Sequence, residues 1–286
     1  DAKKIRGVID IVLESFKTDE KIIVVVSALG GITDDLIKLS TLALRGDKYE
    51  ILFKNICQRH DQVVGELISL KDQKRVLQEI SKKYNELSEI LKNIFQTKKS
   101  SPSSLDAVMS FGEQLSAYIT SEAMKSRGIL CEFVDARTII KTDDNFNNAN
   151  VDIEKSYKLI SNYFNNKSNP QNTFFVMGGF IGSTKDNITT TLGRGGSDYT
   201  ASLIGAALGA SVIEIWTDVD GIMTEDPKKM KDALLIPEIT YEKAEEMAYN
   251  GAKVIHPKTM KPARLKNIPI YIKNTFNPNG HGTKIH

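Results

Sequence analysis

The sequence predicts an α/β protein built on a largely parallel sheet, on three observations. Apolar, β-branched runs alternate with helical patterns along the whole chain. Runs such as KIIVVVSA (21–28) and TFFVM (173–177) lack the in–out alternation of a one-sided strand and suit strands covered on both faces. Three glycine-bearing loops, SALGG (27–31), GGFIG (178–182) and LGRGGSD (192–198), each follow a predicted strand.

Taken in order, the chain opens on a helical pattern with Ile5, Val8, Ile9, Val12 and Leu13 at spacings of three and four. It starts inside that pattern and without a methionine, so residues upstream are expected to be missing from the sequence. KIIVVVSA is the first strand. Residues 33–96 form a long helical stretch with turns near Gly46 and Lys71; its mixed charges read as solvated faces of a helical subdomain that covers a sheet edge or a partner. KKSSPSSLD (98–106) is a loop ending in a helix start. Leu105, Val108, Met109, Gly112, Leu115, Ile119 and Ala123 then make an apolar stripe. Gly128 ends that helix, and ILCEFVDA (129–136) is the next strand. An Asn-rich loop (143–150) and a helix over 153–165 lead to TFFVM. Beyond the glycine loops come a helix of small residues (199–209), a strand VIEIWT (212–217), a DVDG turn and short helices over 241–250 and 257–266. PIYIKN (269–274) is the closing strand.

Composition narrows the function. The 286 residues, 41% hydrophobic and 26% charged, suit one large α/β unit or up to two domains. Lys and Arg (38) nearly balance Asp and Glu (36), so no broad field invites nucleic acid or an anionic membrane. No apolar run approaches the ~18 residues that span a bilayer, and no signal peptide opens the chain. Cys57 and Cys131 lie far apart and read as reduced thiols in the cytoplasm. GxxxxGK[ST], GxGxxG, HExxH and GxSxG are absent, and the four histidines show no metal spacing; no metal-ligating residue is expected.

Positive indications centre on the glycine loops. Glycine lets backbone amides approach an anion closely, and ligands of open α/β sheets bind beyond the carboxyl ends of the strands. Three such loops predict a phosphate or carboxylate cradle. Within GRGGSD, Ser197 is placed to cap the next helix, Asp198 lies in its first turn, and Arg194 offers a planar fork to a carboxylate. Alternatively, Arg194 and Asp198 pair across the turn. Glu113 shares a helix face with Met109, Ala117 and Thr120, and a carboxylate turned toward a core needs a partner: a ligand's amino group or a backbone amide. In the basic stretch 251–266 no aromatic residues interleave for base stacking, and Lys253 is the lysine suited to a phosphate.

With these residues in view, the chain resembles the aspartokinase catalytic domains of the amino acid kinase family. The matching segments are VVVSALGGITD (24–34), SFGE (110–113), GGFIG, TTTLGRGGSDYTA (189–201), WTDVDGIMTEDP (216–227), GAKVIHP (251–257) and IKNTFNP (272–278), in family order. The resemblance implies a single domain over 1–286, a three-layer α/β/α sandwich with an amino-acid lobe (about 1–172) and a nucleotide lobe (about 173–286), acting as a homodimer. It implies ATP and L-aspartate as substrates, Mg²⁺ carried with the nucleotide, and 4-phospho-L-aspartate as product, the entry to lysine, threonine and methionine synthesis. Ser27, Thr33, Glu113, Arg194 and Asp198 match aspartate-binding positions, with Arg194 on the α-carboxylate and Glu113 on the α-amino group. Thr217, Asp218, Met223, Lys228, Lys253 and Val254 match nucleotide positions, and Lys253 and Asp198 are the implied catalytic pair. The family usually carries an aromatic residue at 223 and often arginine at 228. Its KFGG strand has no counterpart here, and its regulatory ACT domains would follow the last residue. Other readings are a kinase for another acid such as glutamate, and a non-catalytic ligand-binding or dimerisation module.

Overall fold

The computed structural model describes residues 1–15, 21–165, 173–225, 230, 232–250 and 254–286. The chain divides into two compact units, Asp1–Ser156 with Lys167–Gly193 and Tyr157–Asn166 with Arg194–His286. Among the described residues, four of the six ladders between strands are parallel, as an α/β fold requires.

In the first unit, β1 (Ile23–Val26), β2 (Cys131–Val134) and β3 (Phe174–Gly178) form a parallel sheet in the order β1-β3-β2. The central strand β3 is buried at every position, as its unbroken apolar run predicts. β1 differs from expectation: it stands at an edge of this sheet and is half-buried throughout, although its sequence is equally apolar. Composition reports that a strand suits burial, and neighbours decide whether it receives it.

Helices α1 (Ala2–Ser15), α2 (Ile32–Arg45), α3 (Glu50–Leu67), α4 (Leu70–Thr97) and α5 (Pro102–Ser126) share one apolar core with this sheet. Gly46 ends α2 in a left-handed cap, as the sequence predicts, while the second break falls at Ile68–Ser69 rather than near Lys71. α5 starts four residues before the expected point. Ser101 accepts the Ser104 amide at 3.1 Å and Pro102 occupies the first turn, a cap signal present in the sequence. From Val108 to Met124 every residue of α5 except Tyr118 is buried, so the helix is enclosed on all sides rather than along one stripe.

Because α5 starts early, Asp106 lies inside it and is fully buried. Its carboxylate accepts the Asn147 amide (2.9 and 3.1 Å), the Thr191 amide (2.9 Å) and the Thr191 hydroxyl (2.7 Å). Burial outweighs these donors and raises its pKa above the ordinary value. One side chain thereby ties α5 to the Asn-rich loop and to β5 (Thr189–Thr191), which pairs antiparallel with β4 (Ile181–Ser183). Asp106→Ala strands these donors and is expected to lower unfolding free energy by about 3 kcal/mol. Urea denaturation measures this, and a loss under about 0.5 kcal/mol would mean that water replaces the carboxylate.

In sequence, α6 (Ala136–Ile139) and α7 (Ile153–Asn165) lie between β2 and β3. The second unit carries α8 (Gly196–Leu208), β6 (Ile213–Thr217), β7 (Glu238–Ile239), α9 (Tyr241–Tyr249), α10 (Pro257–Arg264), β8 (Ile270–Asn274) and β9 (Thr283–Ile285). Its sheet has the order β6-β8-β9-β7. PIYIKN is therefore not the closing strand; β9 follows and pairs antiparallel with β8. The strand β3, between β1 and β2, belongs with the β4–β5 hairpin to the first compact unit, whose last residue is Gly193. Among the described residues, no helix is long and apolar enough to cross a membrane.

Candidate functional site

The first unit gathers Ser27, Thr33 and Glu113 around the carboxyl ends of β1 and β3. Two glycines make this possible by absence of a side chain. A Cβ on Gly112 would lie 2.8 Å from that of Ala28, and one on Gly178 would lie 3.0 Å from both the Cβ and the carbonyl oxygen of Glu113. α5 therefore settles directly onto the strand ends and delivers Glu113 there, 3% exposed.

One oxygen of Glu113, Oε1, accepts the Ala28 amide at 3.3 Å. The other, Oε2, is buried and has no hydrogen-bond partner among the described residues. Burial pushes its pKa up to about 7, with the Ala28 amide opposing. Of the two partners the sequence left open, the backbone amide is present, on one oxygen. Ser27, just beyond β1, is exposed; Thr33, in the first turn of α2, is half-buried. The intervening loop is steadied by Arg59, which donates to the Gly30 carbonyl at 2.8 Å and lies 3.5 Å from Asp35. Nothing in the spacing of the sequence points to Arg59.

In the second unit, α8 begins at Gly196 after Gly195, which takes the cap position in a left-handed conformation (φ 68°). Ser197 is consequently inside the first turn and does not cap, a correction to the expectation. Asp198 shares that turn, and burial raises its pKa to about 6. Arg194 is exposed, and among the described residues no hydrogen bond or ion pair joins it to Asp198, so the pairing across the turn is not made.

Thr217 closes β6, where its carbonyl accepts the amide (2.9 Å) and hydroxyl (3.0 Å) of Thr275, and its hydroxyl donates to the exposed Asp218 at 3.3 Å. Met223 is half-buried and bridges to Leu235. Val254 packs on the second unit's core. Lys228 and Lys253 lie outside the described residues. Sites in the first unit thus offer a buried carboxylate and loop amides, while those in the second offer a helix N-terminus, an exposed guanidinium and a strand-end loop. Among the described residues, no three His, Cys, Asp or Glu side chains gather as a metal set.

Residues 1–274 match the model of the amino acid kinase family. Bifunctional aspartokinase/homoserine dehydrogenase 2, chloroplastic, of Zea mays is 34% identical over 285 residues, which are 99% of this chain and 30% of that protein. Lysine-sensitive aspartokinase 3 of Escherichia coli (strain K12) is 35% identical over 268 residues, 92% of this chain and 57% of that protein. The solved structure of E. coli aspartokinase III in complex with aspartate and ADP superposes with a TM-score of 0.87 at 31% identity, covering 100% of this chain and 61% of that one. The chain therefore spans between 30% and 61% of the length of these relatives.

Proposed function

The chain belongs to the amino acid kinase family, and on that premise we propose that it transfers the γ-phosphoryl group of ATP to the β-carboxylate of L-aspartate, giving ADP and 4-phospho-L-aspartate. The observation that carries this reading is the buried Oε2 of Glu113, which has no partner among the described residues. A carboxylate desolvated in this way costs free energy until a donor reaches it, and an α-ammonium group supplies both the hydrogen bond and the opposite charge. The aspartate and ADP bound in the E. coli relative support the same choice of substrates.

In this reading Ser27 and Thr33 contact the amino acid, and Arg194 holds its α-carboxylate by two parallel hydrogen bonds. A β-carboxylate is already ionised at neutral pH, so the attack on the γ-phosphorus needs no strong base. Catalysis then rests on in-line placement and on neutralising charge that spreads over the transferred oxygens. Lys253 and the amides of the glycine loops supply that neutralisation, and Asp198 orients the lysine. Thr217, Asp218, Met223, Lys228 and Val254 line the nucleotide. Magnesium carried with the nucleotide would add positive charge there. The enzyme acts as a cytoplasmic homodimer at the head of lysine, threonine and methionine synthesis.

Arg194→Ala tests the assignment of the α-carboxylate. The expected result is a rise of at least about tenfold in the aspartate KM, the loss of a charged hydrogen bond, with the ATP KM unchanged. An unaltered aspartate KM would remove Arg194 from the amino-acid site.

A further inference from the structure

The second unit holds its glycine loop by packing it against another helix. Gly195 takes the cap position of α8 in a left-handed conformation, and no side-chain hydrogen bond closes that cap. A Cβ placed on Gly195 would lie 2.8 Å from the Cβ of His256, 3.5 Å from its Cγ and 3.4 Å from the Thr259 hydroxyl oxygen. The loop backbone therefore rests directly on the first turn of α10. Thr259 is fully buried and its hydroxyl has no hydrogen-bond partner among the described residues, so its part in the contact is packing.

His256 keeps that first turn in place. Its Nδ1 accepts the Lys258 amide at 3.2 Å and its carbonyl accepts the Thr259 amide at 2.9 Å, which makes it the cap of α10. Serine, threonine, aspartate and asparagine are the usual caps. Here an imidazole does that work while its Cβ and Cγ floor the glycine loop. Gly195 in turn joins Arg194 to the first turn of α8, where the Gly195 carbonyl accepts the Tyr199 amide at 2.9 Å and where Asp198 lies. A shift of Gly195 moves both side chains.

We propose that His256 is a positioning residue for the amino-acid site: by capping α10 and seating Gly195, it fixes the backbone that presents Arg194 and Asp198. This rests on the kinase reading above, since Arg194 and Asp198 are groups that reading puts at the amino acid. A guanidinium that meets a carboxylate with two parallel hydrogen bonds tolerates little displacement, and a misplacement of about 1 Å can cost about a hundredfold.

The test compares His256→Asn, His256→Ala and His256→Gly, together with Gly195→Ala alone and combined with His256→Gly, in the full-length gene product. Melting temperature, calorimetric affinities for L-aspartate and ADP, and phosphorylation of L-aspartate are read for each. His256→Gly, which loses the Cβ, is expected to weaken aspartate affinity at least about tenfold and ADP affinity less than about threefold. His256→Ala keeps the Cβ but not the cap acceptor and should weaken aspartate affinity at least about threefold, which keeps the test open if glycine prevents folding. His256→Asn retains both features and should bind aspartate within about threefold of wild type. The cost of Gly195→Ala in aspartate affinity should fall at least about threefold once His256→Gly has removed the opposing Cβ. A lowered melting temperature with unchanged aspartate affinity in both His256→Ala and His256→Gly would overturn the proposal and leave the kinase reading standing. A loss confined to ADP would do the same. Wild-type protein that neither binds nor phosphorylates L-aspartate would overturn both.

Discussion

Glu113→Gln is expected to lower kcat/KM for aspartate about a hundredfold while making the protein more stable at pH 8. The kinetic loss follows from removing the charge that meets the α-ammonium group; truncating one side of a buried charge pair costs 2–5 kcal/mol, and each 1.4 kcal/mol is about tenfold. The gain in stability follows from burial. The folded-state pKa of Glu113 is raised from 4.5 to about 7. Its contribution to stability is therefore fully present below pH 4.5 and is lost as pH rises through about 7. At pH 8 the loss approaches about 3 kcal/mol, at 1.36 kcal/mol for each pH unit of difference. Glutamine keeps an acceptor for the Ala28 amide and carries no charge to desolvate. Urea midpoints should match at pH 4.5 and separate in the variant's favour at pH 8. In the wild type, kcat/KM for aspartate should rise about tenfold per pH unit up to about 7 and then level, and the variant should lose that limb. A variant less stable than wild type at pH 8, with an unaltered pH profile, would place Glu113 outside the binding site.

Lys253→Ala carries the other large expectation, a fall in kcat on the order of a hundredfold. The nucleophile is already an anion, so charge rather than proton transfer limits the reaction, and removing one preorganised stabiliser costs roughly 10²–10³ in kcat. The ATP KM should move much less, because the interaction strengthens as charge develops in transfer. Initial-rate kinetics at saturating aspartate measure both. Near-normal turnover would take Lys253 out of the catalytic set.

Much of this molecule was legible in the order of its residues, for identifiable reasons. The small-residue helix α8 and the enclosed strand β3 have sequences suited to one environment, and each was placed to within a few residues. The pieces that escaped were set by tertiary neighbours. β4, β5, β7 and β9 are two or three residues long, too short for a period to show. β1 reads as doubly covered yet stands at a sheet edge.

The site divided along the same line. The burial of Glu113 is legible because a carboxylate on an apolar helix face is a local anomaly, visible in a window of a dozen residues. Asp106 was missed, since its donors at Asn147 and Thr191 are 41 and 85 residues away. Serine before a helical run is a common cap, but Gly195 takes the position ahead of Ser197.

Trapping the product with hydroxylamine tests the central claim most directly. The full-length gene product is incubated with Mg-ATP and hydroxylamine, with L-aspartate, L-glutamate, N-acetyl-L-glutamate or UMP offered separately. An acyl phosphate on the β-carboxylate converts to aspartyl-β-hydroxamate, so the account predicts hydroxamate in one-to-one proportion with ADP, from aspartate alone. ADP release without hydroxamate, or hydroxamate from another acid and none from aspartate, would contradict it.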